Sequence, residues 1–150
     1  SPGKRLPGLD ANPLGLSIAS CHVCASFGTV FCDIGADGSA KWSEHNSQAQ
    51  APCQDSADWD PPTLRAMQIS DTPQPAHFTV DWCSEVPCSQ LGGLPSWIQD
   101  ASYPDCPGCG QTMVFLAQIS NEDFEEYSEG IFYMFFCSEC QVGATLYQQS

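Results

Sequence analysis

The sequence predicts a mainly β domain, β-rich α+β in class, built of antiparallel sheets with few short helices. Three observations predict it. Cys106-Pro107-Gly108-Cys109-Gly110 is answered by Cys137-Ser138-Glu139-Cys140 across an apolar stretch. The same order of thiol pair and then strand recurs in the first half of the chain. No segment carries the sustained 3.6-residue apolar period of a long helix, and short apolar runs bounded by glycine, proline and asparagine prevail instead.

Residues 1–15, with Pro2, Pro7, Pro13 and Gly3, Gly8, Gly15, read as an extended arm without periodic pattern. Residues 16–150 read as one domain, with a first knuckle unit over 16–90 and a C-terminal one over 91–150. The first opens with Cys21-His22-Val23-Cys24 and feeds a hairpin: Thr29 to Ile34, an Asp37-Gly38 turn, then Ser39 to Trp42. Asp33 and Asp37 lack the spacing and closing glutamate of an EF-hand, so turn chemistry accounts for them. Glu44 to Pro62 is the longest candidate loop. Leu64 to Ser70 and His77 to Trp82 are strand candidates separated by Asp71-Thr72-Pro73-Gln74-Pro75. In the second unit, Thr112 to Ile119 and Gly130 to Phe136 read as consecutive strands, and Asn121 to Ser128 is the best helix candidate, capped by Asn121 and acidic at its start.

The strand pair carries the second thiol pair back beside the first, which is the plan of a zinc ribbon. A Cys-x2-Cys turn aims both sulfurs at one point, and four converging thiolates form the closed set preferred by structural Zn²⁺. Cys106, Cys109, Cys137 and Cys140 are therefore one expected metal site, with Gly108 and Gly110 supplying the positive φ of a tight knuckle. In the first half, Phe78 to Cys83 and on to Cys88 imitates Tyr133 to Cys140, with two extra residues before the last cysteine. A second zinc ion is expected at Cys21, Cys24, Cys83 and Cys88. Cys32 or Cys53 can replace Cys83 or Cys88 in that set, and His22 is a lesser candidate.

Other uses of the ten cysteines compete with this one. Disulfides would be the default in a secreted chain. Six of the ten lie in Cys-x2-Cys pairs, and 150 residues can bury a core without staples, so a reducing, cytoplasmic setting is favoured. Thioredoxin-like redox chemistry wants its pair at a helix N-terminus within a βαβ unit, whereas strands are expected after both pairs here. Iron suits a tetrahedral four-sulfur site as well as zinc does, and Cys-Pro-x-Cys-Gly also occurs in rubredoxin-type sites.

Charge limits the partners. Four basic against eighteen acidic side chains give a formal −14, and two tetrathiolate zinc sites would take that to about −18. Phosphate backbones would be repelled, so nucleic-acid binding is not expected. A protein partner of basic character is, with Glu122, Asp123, Glu125, Glu126 and Glu129, and also Asp55, Asp58 and Asp60, as candidate contacts. No run of about 18 apolar residues is present, so no membrane span is expected. The start at Ser-Pro-Gly without Met suggests a trimmed or processed product, a piece of something longer.

No catalytic residue is assigned. The sequence has no Gly-x-Ser-x-Gly elbow, Walker loop, Gly-x-Gly-x-x-Gly or His-Glu-x-x-His, and His22, His45 and His77 are scattered. Four-sulfur sites leave no open position for a water, which argues for folding rather than hydrolysis.

Leu91-Gly92-Gly93-Leu94-Pro95-Ser96-Trp97-Ile98-Gln99, followed by Cys-Pro-x-Cys-Gly and Met-Val-Phe-Leu-Ala-Gln-Ile, resembles the YwqG-like bacterial proteins over Leu91–Cys140. Programmed-cell-death-2-like proteins are similar in arrangement. The resemblance implies a β-rich fold and, for YwqG-like members near toxin loci, an immunity role; joined to the acidic charge and the missing catalytic set, this gives a non-enzymatic binding protein, most concretely a cytoplasmic immunity or antitoxin protein against a basic toxin. The alternatives are a fragment of a larger enzyme with zinc as scaffold only, and a chaperone-like module. Physically, Gly92-Gly93 and Pro95 set a turn that drops Trp97 onto the ribbon as an apolar lid.

Overall fold

The computed structural model describes residues 15–46, 72, 89–123 and 129–149. Those residues form a short helical turn α1 (His22–Ala25) and strands β1 (Val30–Ile34), β2 (Ala40–Trp42), β3 (Gln90–Leu91), β4 (Val114–Ser120), β5 (Ile131–Cys137) and β6 (Val142–Gln148), with a 3-10 turn over Asn121–Asp123. The strands make one antiparallel sheet in the order β2-β1-β6-β5-β4-β3. The two expected units thus share a sheet, joined where β1 pairs with β6, Val30 opposite Thr145 and Asp33 opposite Val142.

The β1–β2 hairpin turns as the sequence suggests, by a different route. Gly38 N–H donates to the Gly35 carbonyl, and the left-handed residue is Gly38 at φ 78° while Asp37 keeps negative φ. The loop is therefore a type I turn with a glycine bulge rather than a two-residue turn. Asp37 Oδ1 accepts from Ser39 N–H and Oγ–H at 3.0 and 2.6 Å. Where β2 ends, the Asn46 side-chain amide replaces a strand neighbour: Phe31 N–H donates to its Oδ1 at 2.8 Å, and its Nδ2 donates to the Phe31 carbonyl at 2.7 Å.

Both faces of the sheet are covered. Residues directly opposite one another share a face, so the register puts Phe31, Ala144, Phe135 and Phe115 on one side. They belong to a cluster with Met113, Ile131, Tyr133, Val142 and Leu146 that also contains Cys106 and Cys137. The opposite side carries Cys32, Ile34, Leu116 and Phe136 under Leu16 and Ile18, and beside them Cys24, Ala25 and Val30 against Trp42, Phe132 and Tyr147. A bulge between Phe115 and Ala117 keeps Phe115 on the first side while Leu116 packs on the second.

Strand β6 and the short β3 escape the sequence reading. Central β6 is buried along nearly its whole length, yet Gly143 and Ala144 are weak strand formers. Gly143 is needed where it is, because a Cβ there would lie 2.8 Å from the Cys32 sulfur. The helix expected over Asn121 to Ser128 begins as the 3-10 turn, and residues 124–128 lie outside the described region, as do the strand candidates Leu64–Ser70 and His77–Trp82.

The lid expected of Trp97 is present. Its ring packs 4.6 Å from that of Tyr133, stacks 6.2 Å from Phe135 and meets Tyr103 edge-on at 5.3 Å. Buried side chains tie down the backbone around it. Ser96 N–H donates to Gln118 Oε1 at 2.8 Å, Ile98 N–H to the Tyr133 hydroxyl at 3.1 Å, and Gln99 N–H to Gln148 Oε1 at 3.0 Å. The Tyr133 hydroxyl donates in turn to the Ser96 carbonyl, and Gln148 Nε2 to that of Asp100. A loop laid over an apolar face needs such partners for its peptide groups, and this network was not legible in the sequence.

Candidate metal centre

The first knuckle is a small hairpin of its own. Met113 N–H donates to the Pro104 carbonyl, Cys106 N–H to that of Gln111 and Gly110 N–H to that of Cys106, all within 2.9 Å. Thr112 Oγ1 adds a bond to Asp105 Oδ1 at 2.9 Å, beside the bridge that pairs these two residues. Gly110, directly after the second cysteine, takes φ 72°. Gly108 has a different reason to be glycine: a Cβ would lie 2.9 Å from the Cys140 sulfur, so the need is for space and not for positive φ.

The second knuckle joins β5 to β6 and repeats that geometry. Gln141 holds the place of Gly110 directly after the second cysteine and takes φ 55°, its Nε2 donating to the Ser138 carbonyl at 2.6 Å. Ile34 N–H donates to the Gln141 carbonyl, which ties the knuckle to β1.

The two knuckles bring the sulfurs of Cys106, Cys109, Cys137 and Cys140 within 4.8 Å of one another, as the sequence expects. Those of Cys109 and Cys137 are 3.8 Å apart. In a regular tetrahedron with metal–sulfur bonds of about 2.3 Å, the sulfurs stand about 3.8 Å apart. The residues present fit a tetrahedral metal, and all four corners are protein sulfur. Cys106 and Cys137 are buried at the end of the aromatic core, while Cys109 and Cys140 are half-buried toward the rim.

The thiols of Cys106, Cys137 and Cys140 differ in how readily they ionise. Burial opposes ionisation of Cys106, but the N–H groups of Cys109 and Gly108 and the thiols of Cys137 and Cys109 outweigh it and hold Cys106 below the ordinary thiol value. Its neighbours then resist ionisation. Burial, with the Cys106 and Cys109 thiols, pushes Cys137 up. The Cys109 thiol, then burial, then Cys106 push Cys140 up to about 12. Ionisation of Cys106 is favoured over that of Cys137 and Cys140, an imbalance that a divalent cation among the sulfurs would relieve.

The first thiol pair lies in a helical turn. Cys21-His22-Val23-Cys24 winds into α1, with Ala25 N–H donating to the Cys21 carbonyl at 2.8 Å. Ala25 stands where the C-terminal knuckle has Gly110, and a residue with a Cβ resists the left-handed turn that would send the chain straight into a strand. The bond from the residue after the second cysteine back to the first cysteine's carbonyl is nonetheless shared with the C-terminal knuckle, where Gly110 N–H donates to the Cys106 carbonyl at 2.8 Å, and Cys21 and Cys24 keep the spacing of a thiol pair that could hold a metal. Cys83, Cys88 and Cys53 lie outside the described residues. Cys32 is a core thiol packed under Ile18 against Gly143, and burial pushes its pKa up, which disfavours the thiolate. Of the acidic candidates, Glu122 is exposed and Asp123 half-buried, with the Ser89 hydroxyl donating to Asp123 Oδ2, while Glu125 and Glu126 lie outside the described residues. None of the seven described cysteines is in a disulfide, and no described helix is long and apolar enough to cross a membrane.

No family model and no solved structure matches the chain. The chain is 41% identical over 140 residues to the uncharacterized protein YpfL of Salmonella typhimurium, an alignment covering 92% of this chain and 33% of that protein. The chain thus spans about a third of the length of this bacterial relative.

Proposed function

We propose that this chain is a non-catalytic binding domain stapled by Zn²⁺ at Cys106, Cys109, Cys137 and Cys140. The observation that carries the reading is the closed four-thiol set with its 3.8 Å sulfur separation. Four sulfurs leave no position for an activated water, and a site of this kind contributes its binding energy to folding. Iron would occupy the same corners. Zinc is preferred because two Cys-x2-Cys knuckles closed by four sulfurs are the usual donor set of a structural Zn²⁺. The partner is a basic protein, favoured by the net charge of −14. A cytoplasmic immunity protein that neutralises a basic toxin is the narrower form of the reading, and within the molecule it draws on that charge alone.

Elemental analysis of the purified chain tests the metal. At least one zinc per chain, replaceable by Co²⁺ with the absorption of tetrahedral cobalt thiolate, supports the reading. A metal-free chain that is folded and cooperative, or one that carries iron, overturns it.

A further inference from the structure

We infer that the outer surface of the Leu94–Tyr103 loop is a docking site for a basic, amphipathic protein segment. The inference rests on the reading of this chain as a binding domain and names the surface and the chemistry of its partner. The inner side of the loop is fixed to the sheet by Gln118, Tyr133 and Gln148 and by the packing of Trp97. Leu94 and Ile98 remain 40% and 36% exposed, and Tyr103, whose ring also packs edge-on against Trp97, is 44% exposed, three large apolar side chains within ten residues. The anchoring makes this apolar strip rigid in advance of binding, which lowers the entropy cost of association.

Charge selects the occupant. From Ser89 to Ser150 the sequence contains no Lys, Arg or His, against eight Asp and Glu. Asp100 and Asp105 belong to this loop and the knuckle that follows it, and both are exposed. Nucleic acid and anionic lipid would be repelled by such a surface, and so would a second copy of this chain, itself at −14. A segment with an apolar face flanked by Lys and Arg satisfies the strip and its acidic surroundings together.

The test uses the full, metal-loaded chain and three helical peptides of roughly 18 residues. One patterns Leu and Lys amphipathically, one replaces Leu by Ser, and one replaces Lys by Glu. The Leu/Lys peptide should bind about tenfold more tightly than the Ser/Lys peptide, weaken as salt rises from about 50 to about 500 mM, and the Leu/Glu peptide should not bind. Leu94→Ser with Ile98→Ser should abolish the advantage of Leu/Lys over Ser/Lys with metal content and melting temperature unchanged. Ile98→Lys should weaken Leu/Lys binding further. Undiminished Leu/Lys binding by both variants overturns the assignment, as does a larger loss from Glu122→Gln with Asp123→Asn than from the loop variants. Zinc content is measured on the same samples, so failure here is separable from failure of the metal reading.

Discussion

The sulfur of Cys140 leaves no room for a methyl group on Gly108. An added Cβ would stand 2.9 Å from that sulfur and 3.3 Å from the Cys140 Cβ, so the first knuckle is shaped by the second. Gly108→Ala should displace one corner of the tetrahedron, weaken metal binding at least about tenfold and cost roughly 1–3 kcal/mol of stability. Gly110→Ala meets no atom within 4 Å and suffers only left-handed strain, about 1–2 kcal/mol, with the metal retained. Chelator competition and thermal melts on the two variants distinguish these cases; equal metal affinity in both would contradict the packing argument.

Cys137→Ser should remove the metal and the fold together. Structural zinc sites contribute on the order of 10 kcal/mol in small domains, as much as a domain's whole net stability. Chelation of the unaltered chain should give the same result. The check is near-ultraviolet dichroism and a thermal scan, and a native-like transition in the variant would refute a structural role for the metal.

Gly143 and Cys32 should show strong coupling. Gly143→Ala puts a methyl 2.8 Å from the Cys32 sulfur in the middle of the sheet, at a cost of roughly 1–3 kcal/mol. Cys32→Ala alone opens a small cavity, and combined with Gly143→Ala it makes room for the new methyl. Denaturant midpoints of the double variant should recover most of the loss. Strictly additive losses would show that the sulfur is not what excludes the side chain.

The turn after β1 should weaken in acid. Asp37 is held below the usual carboxylate range by the Ser39 hydroxyl first and the Ser39 N–H second. A lowered value in the folded state means the contribution is fully present above the unfolded carboxylate value near ~3.9 and is lost as pH falls through the folded value. Hydrogen exchange at Ser39, corrected for its intrinsic rate, should quicken between about pH 6 and about pH 2 in the native chain and much less in Asp37→Ala. Protection that ignores both acid and substitution would show that the carboxylate does not hold the turn.

The C-terminal site was legible because its signal is local and redundant. Cys-x2-Cys fixes two sulfurs at a turn, and the strands Val114–Ser120 and Ile131–Cys137, expected within two residues of their true ends, fix the distance between turns. The sequence signal for β6 was weaker, since Gly143 and Ala144 hide a strand whose burial comes from neighbours on both sides. Gln118 and Gln148 read as surface residues by type, and only the loop lying over them explains their burial. At Cys21–Cys24 the spacing matched while the residue after it, Ala25, did not.

The position of β6 between β1 and β5 sets the order in which the molecule can assemble. The β1–β2 hairpin leaves the ribosome early, but its long neighbour is the last strand described, with Val30 waiting for Thr145. Closure therefore spans most of the chain, a high contact order that slows folding, and until it happens the apolar faces of the hairpin stay uncovered. The C-terminal meander, by contrast, has its strands adjacent in sequence and can form as soon as Cys140 finds its metal. With the proposed metal bound there, its supply during synthesis would govern how long the early hairpin stays exposed to aggregation.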